Sequence, residues 1–203
     1  MRKYSRSLRN LKRLPKKKIN KDAIKKGVEL ILEGLGIDYS TEGLRDTPRR
    51  MAEFYEQFFS GIWRNPREKL KLYRAENQDE MIIARDIHFF SMCEHHFLPF
   101  FGFVHIAYIP RNNTITGFSR LVEVVETIAR RPQIQERMTT EIAEVIMDVL
   151  KPKGVLVIVE AEQLCLTMRG FGQPGIKTIS SAVRGALRKD ATREEALVLI
   201  KSK

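Results

Sequence analysis

The sequence predicts an α+β domain in which two β-hairpins bracket a pair of helices, giving the core order ββααββ. Three observations carry this. Residues 81–90 and 101–110 are rich in β-branched and aromatic side chains, lack a helical period and are separated by a short segment, as in a hairpin. Two amphipathic patterns follow in succession, and residues 154–162 and 177–184 then repeat the strand signature. An antiparallel sheet with helices on one face is expected, preceded by N-terminal helices.

Taken in order, Asn20 is placed to cap a helix whose apolar residues Ile24, Val28, Ile31, Leu32 and Leu35 share one face before Gly34 and Gly36. Thr47 and Pro48 make a cap and first-turn pair for a second helix striped by Met51, Phe54, Tyr55, Phe58 and Phe59. Those aromatics read as core. Ser119 starts a helix carrying Leu121, Val124, Val125 and Ile128, and Pro132 opens another carrying Met138, Ile142, Val145, Ile146 and Val149. The second pair of strands is joined across a loop holding Gly170, Gly172 and Gly175, and Thr192 with Glu195 forms a capping box for a last short helix.

The chain of 203 residues, 43% hydrophobic, suits one domain over 21–203 with a basic arm over 1–20. The net charge of +11 is uneven, because ten Lys or Arg and no acid fall within residues 1–21, leaving the rest nearly neutral. Three readings of the arm compete: a solvated extension, an RNA- or polyanion-binding tail, and an organelle transit segment. No apolar run approaches the roughly 18 residues needed to span a bilayer, and no stretch near Met1 is flanked like a secretory signal. A soluble, cytoplasmic protein without membrane contact is expected. Two cysteines, Cys93 and Cys165, are too few for a disulfide framework and favour a metal or catalytic role.

Chemistry concentrates at Cys93, Glu94, His95 and His96. Catalytic zinc takes three protein ligands and keeps an open position, and two thiolates with one imidazole is a known set. Cys93 and His96, three apart on a turn, can reach one ion, and the second hairpin can bring the only other thiol, Cys165, alongside. Water on such an ion can have its pKa lowered to about 7, which makes hydrolysis at an electron-poor carbon the natural reaction class. His95 lies on another bearing and suits proton transfer, the plain alternative being loop histidines that face solvent. A structural zinc would want a fourth ligand, yet His88 and His105 lie in strand patterns and read as sheet residues. Arg120 after Ser119, Arg169 after Cys165, and Gln135 with Glu136 suit an anionic heterocycle: arginine forks match phosphate, and a carboxylate accepts paired N–H bonds from guanine.

From about Gly43 to the C-terminus the sequence resembles the GTP cyclohydrolase I family of the tunnelling-fold superfamily. The resemblance rests on the blocks Gly43 to Arg50, Ser91 to Phe97, Ala107 to Pro110, Arg130 to Thr139 and Cys165 to Gly170, in the family's order. It implies zinc ligands Cys93, His96 and Cys165, with His95 as the acid/base group. It further implies guanine held by Glu136 with help from Gln135, and a triphosphate held by Ser119, Arg120 and Arg169. The implied reaction opens the imidazole ring of GTP at C8, releases formate and yields 7,8-dihydroneopterin triphosphate. The implied assembly is a toroidal homodecamer with sites between subunits.

Three positions depart from the family pattern. Arg120 stands where lysine is usual, and Glu123 stands where arginine is frequent, removing a positive charge near the expected phosphates. Gln163 replaces the usual histidine at a catalytic position two residues before Cys165. Glutamine hydrogen-bonds but does not exchange protons near neutrality, and general acid/base help is worth about 10²–10⁴-fold. Either His95 and water carry every proton transfer, or the reaction slows or stops at the ring-opened formamide. The rival readings are a same-fold enzyme acting on a related purine or pterin, a non-catalytic GTP-binding homologue, and a nucleic-acid binder working through the arm.

Overall fold

Asn20 caps as its side chain predicts: its oxygen accepts the Ala23 amide at 3.0 Å and starts α1 (Lys21–Gly34). This computed structural model describes residues 19–169 and 175–202. Residues 1–18 of the basic arm, and Gly170 and Gly172 of the glycine-rich loop, lie outside the described residues.

The described residues up to Trp63 form one compact unit and those from Arg64 a second. In the first, α1 packs on α2 (Thr47–Phe58), with Lys21 bonded to Glu56 at 3.0 Å. Only part of the expected α1 stripe is covered within this unit, since Leu32 is buried while Ile31 and Leu35 remain 62% and 67% exposed. The cap of α2 is Asp46 rather than Thr47. The preceding turn, closed by Thr47 N donating to Leu44 O at 2.9 Å, already places Thr47 inside the first helical turn.

The second unit holds two sheets. A short antiparallel pair joins β1 (Leu72–Arg74) to β4 (Thr114–Thr116). The main sheet has five strands in the order β5-β2-β3-β6-β7. Its members are β2 (Ile82–Cys93), β3 (Pro99–Ile109), β5 (Pro132–Gln133), β6 (Gly154–Gln163) and β7 (Lys177–Gly185). Both expected hairpins are present, and β3 pairs with β6 antiparallel to join them.

Alternation along the strands sends two faces to different partners. Val104, Ile106 and Tyr108 of β3 and Val155, Val157 and Val159 of β6 pack with α3 (Phe118–Ala129) and α4 (Gln135–Leu150) in the main core. On the opposite face, Ala107 and Leu156 meet Leu187 and Ala196, so α6 (Asp190–Lys201) covers one end of the side turned away from α3 and α4. A bulge at Arg85 and Asp86 sets two residues of β2 against His105, with Asp86 at φ 58°.

Three more helix starts differ from expectation: α3 begins at Phe118, behind Gly117, rather than at Ser119. Pro132 does not open α4, because Pro132 and Gln133 pair in parallel with Met92 and Cys93, and the helix begins at Gln135. Thr192 forms no capping box: its hydroxyl donates to Ala186 O at 3.0 Å and Lys189 O at 3.3 Å, and the helix starts earlier, at Asp190.

Candidate metal centre and substrate cleft

Strand register brings the two hairpins' chemistry together. Ser91 lies opposite Phe100, and Phe100 opposite Gln163, so the ends of β2 and β6 flank the start of β3. Cys93 ends β2, and Cys165 sits two residues past Gln163 in the single-turn helix α5 (Leu164–Thr167). Between β2 and β3 the chain reverses tightly: Phe97 N donates to Cys93 O and Cys93 N to Leu98 O, each at 2.8 Å, with Phe97 at φ 55°. This turn presents His96.

The donor atoms of Cys93, His96 and Cys165 all lie within 4.8 Å of one another, and the three residues are respectively buried, exposed and half-buried. Two sulfurs and an imidazole nitrogen at this spacing fit a borderline-soft ion such as zinc with an open position. Burial, first, and the neighbouring Cys93, second, push the Cys165 thiol up from its ordinary value, while Arg169 acts in the opposite sense. The Cys165 thiol therefore resists becoming a thiolate until a cation joins it. His95 diverges from His96, their rings 6.3 Å apart and 79° between planes, so His95 stays out of the ligand group while lining the same cleft.

That cleft has a volume of about 350 Å³ and takes in Cys93, His95, His96, Glu136, Gln163 and Cys165. A smaller one of about 170 Å³ lies on the open sheet face beside Phe101, Phe103 and Lys177, and is lined by neither Cys93 nor Cys165. Glu136 is exposed in the first turn of α4 and lines this cleft.

Gln135 and Gln163 form a ladder of amides. Gln135 Nε2 donates to Val159 O and Thr178 O, each at 3.0 Å, which settles which end of its carboxamide is nitrogen. Its oxygen accepts from Thr178 Oγ1 at 2.6 Å and from Gln163 Nε2 at 2.8 Å. The Gln163 oxygen is thereby turned toward Cys165 Sγ, 3.9 Å away. Gln135, 5% exposed, spends its whole carboxamide inside the protein.

Ser119 and Arg120 stand at the start of α3 and are not among the residues lining this cleft, and neither is the exposed Arg169. Arg120 Nη1 bonds Glu123 Oε1 at 2.8 Å. His88 and His105 are sheet residues: His88 packs on Phe103 with centroids 4.3 Å apart, and His105 Nδ1 accepts the Asp86 amide at 3.2 Å. Burial pulls the His105 pKa down despite the nearby Asp86 and Glu160 carboxylates. Sequence reasoning missed Thr178 and Ser180 of β7 as cleft residues and Arg137 as a partner of Glu94, since both depend on elements distant in sequence.

The GTP cyclohydrolase I family matches this chain over residues 24–201. GTP cyclohydrolase 1 of Bacillus cytotoxicus is 52% identical over 187 residues, covering 92% of this chain and 99% of that protein. The enzyme of the same name from Carboxydothermus hydrogenoformans is 52% identical over 183 residues, covering 90% and 95%. That of Bacillus cereus is 50% identical over 187 residues, covering 92% and 99%.

Proposed function

Because the chain belongs to the GTP cyclohydrolase I family, we infer that it hydrolyses GTP, opening the imidazole ring at C8 and releasing that carbon as formate. The remaining atoms close to 7,8-dihydroneopterin triphosphate, with one water taken up net. The observation that carries this reading is the convergence of Cys93, His96 and Cys165 in one cleft with His95 and Glu136.

Cys93, His96 and Cys165 hold zinc in this reading. A zinc ion there supplies a Lewis acid that polarises water for attack on an electron-poor carbon. The chain's own groups do the rest. Glu136 accepts the guanine N–H and amino hydrogens as a pair, fixing the purine so that C8 meets the metal side of the cleft. Gln135 assists by bracing the start of α4 and the Gln163 amide. His95 gives and takes protons at the opening ring, and the Gln163 oxygen accepts a hydrogen bond without exchanging a proton. Ser119, Arg120 and Arg169 hold the triphosphate.

Residues 21–203 act as one catalytic domain in this reading, set in the cytoplasm, where the two thiols remain reduced. The assembly is a toroidal homodecamer with sites shared between subunits. Its support is the placing of Ser119 and Arg120 off the chain's own cleft, together with an open sheet face where Phe90 and Ile179 are 60% and 68% exposed. An active monomer in light scattering would contradict this part.

The fixed amide of Gln163 favours one second reading, arrest at the ring-opened formamide. Product analysis after incubation with GTP separates the two. Formate and pterin triphosphate rising together support complete turnover. Formamide without formate supports arrest, and Gln163→His then restores formate release by about 10²-fold or more. Absence of any ring-opened species defeats both.

A further inference from the structure

One charged cluster beside the metal group has no part in the reaction described above. The guanidinium of Arg137, in the first turn of α4, donates three hydrogen bonds. Nε reaches Gln133 Oε1 at 2.9 Å, while Nη2 reaches the Pro132 carbonyl at 3.0 Å and Glu94 Oε2 at 2.5 Å. Glu94 sits between the ligand positions Cys93 and His96, and its own amide donates to Gln133 O at 3.0 Å. The turn carrying two of the three ligands is thus fastened through one residue, by main chain and side chain, to the junction of β5 and α4.

The anchor is itself rigid. Gln133 is buried, and its Nε2 donates to Ile128 O and Glu141 Oε2, each at 3.2 Å. Those acceptors fix the orientation of the amide and aim its oxygen at Arg137. The third ligand, Cys165, comes from the other hairpin, so the spacing of the ligand atoms depends on how firmly the turn at Glu94 is held.

We propose that Arg137, acting through Glu94, is a positioning residue for the metal centre, locking the Cys93–His96 turn at the distance from Cys165 that one ion requires. This rests on the reading of Cys93, His96 and Cys165 as ligands. Outer partners that orient ligands change metal affinity by about 10–100-fold when removed, and Arg137 stands in that relation to the turn. Lysine cannot reproduce the clamp, because three acceptors in different directions need the planar fork.

The test uses the full chain and the variants Arg137→Met, Arg137→Lys and Glu94→Gln. Zinc affinity is measured by chelator competition, and ligand geometry by the visible absorption of the Co²⁺-loaded protein. Arg137→Met is expected to weaken zinc about 10–100-fold and to shift the Co²⁺ bands, with Arg137→Lys and Glu94→Gln intermediate. Should Arg137→Met fail to fold by circular dichroism, Glu94→Gln decides, since it keeps the side chain's shape. Affinities within twofold of wild type and unchanged Co²⁺ bands, beside a wild type that binds one ion per chain, overturn the clamp alone. A wild-type chain that binds no metal overturns the ligand reading and the clamp together.

Discussion

At Gln163 a carboxamide stands two residues before Cys165 with its orientation dictated from behind. The carbonyls of Val159 and Thr178 fix Gln135, and Gln135 fixes Gln163, so an acceptor faces the cleft. In the proposed reaction, proton traffic then rests on His95. Arg120 is constrained in another way, its guanidinium engaged by Glu123. A half-buried i,i+3 ion pair such as this is worth about 1 kcal/mol. Glu123→Gln should therefore lower the KM for GTP by up to about fivefold with kcat unchanged in steady-state kinetics. An unchanged or raised KM would separate Arg120 from the phosphates. The convergence of Cys93, His96 and Cys165 was legible in the sequence because two thiols and a close histidine leave few alternatives for a metal group. The Arg137 and Glu94 pair was not, since a surface Arg and Glu 43 positions apart read as solvated charges until the fold brings them together.

The strands position the site by register, and register was legible only in part. Alternation and β-branching marked both hairpins, yet the pairing of β5 with β2 was hidden because Pro132 also resembles a helix start. The failed capping box at Thr192 has a similar cause: its hydroxyl finds nearer carbonyls than the motif assumes. The crossing of β3 and β6 makes a direct demand on sequence at Gly102. A Cβ there would lie 2.0 Å from the Glu160 carbonyl oxygen and 2.9 Å from the Ala161 Cα. Both are backbone atoms that cannot swing aside, and this crossing adjoins the row that sets Gln163 opposite Phe100. Gly102→Ala should cost about 1–3 kcal/mol. In a chain of this size that lowers the Tm by about 2–12 °C in scanning calorimetry. A Tm within a degree of wild type would mean that the strands separate at no cost.

For the molecule as a whole, the fold class and the grouping of Cys93, His96 and Cys165 were both legible, whereas the completeness of the site was not. A linear sequence gives no sign that Ser119 and Arg120 stand outside the cleft lined by their own chain's Cys93 and Glu136. The basic charge concentrated in residues 1–21 misleads if read as a property of the folded body, which is nearly neutral. The central claim is that the Cys93, His96 and Cys165 group makes GTP ring opening metal-dependent. It is tested most directly by measuring formate release from GTP with metal-stripped protein, the same protein reloaded with zinc, and Cys165→Ser. The account predicts no release without metal, recovery at one zinc per chain, and loss of both zinc and turnover in Cys165→Ser. Undiminished formate release by the stripped protein or by Cys165→Ser would contradict it.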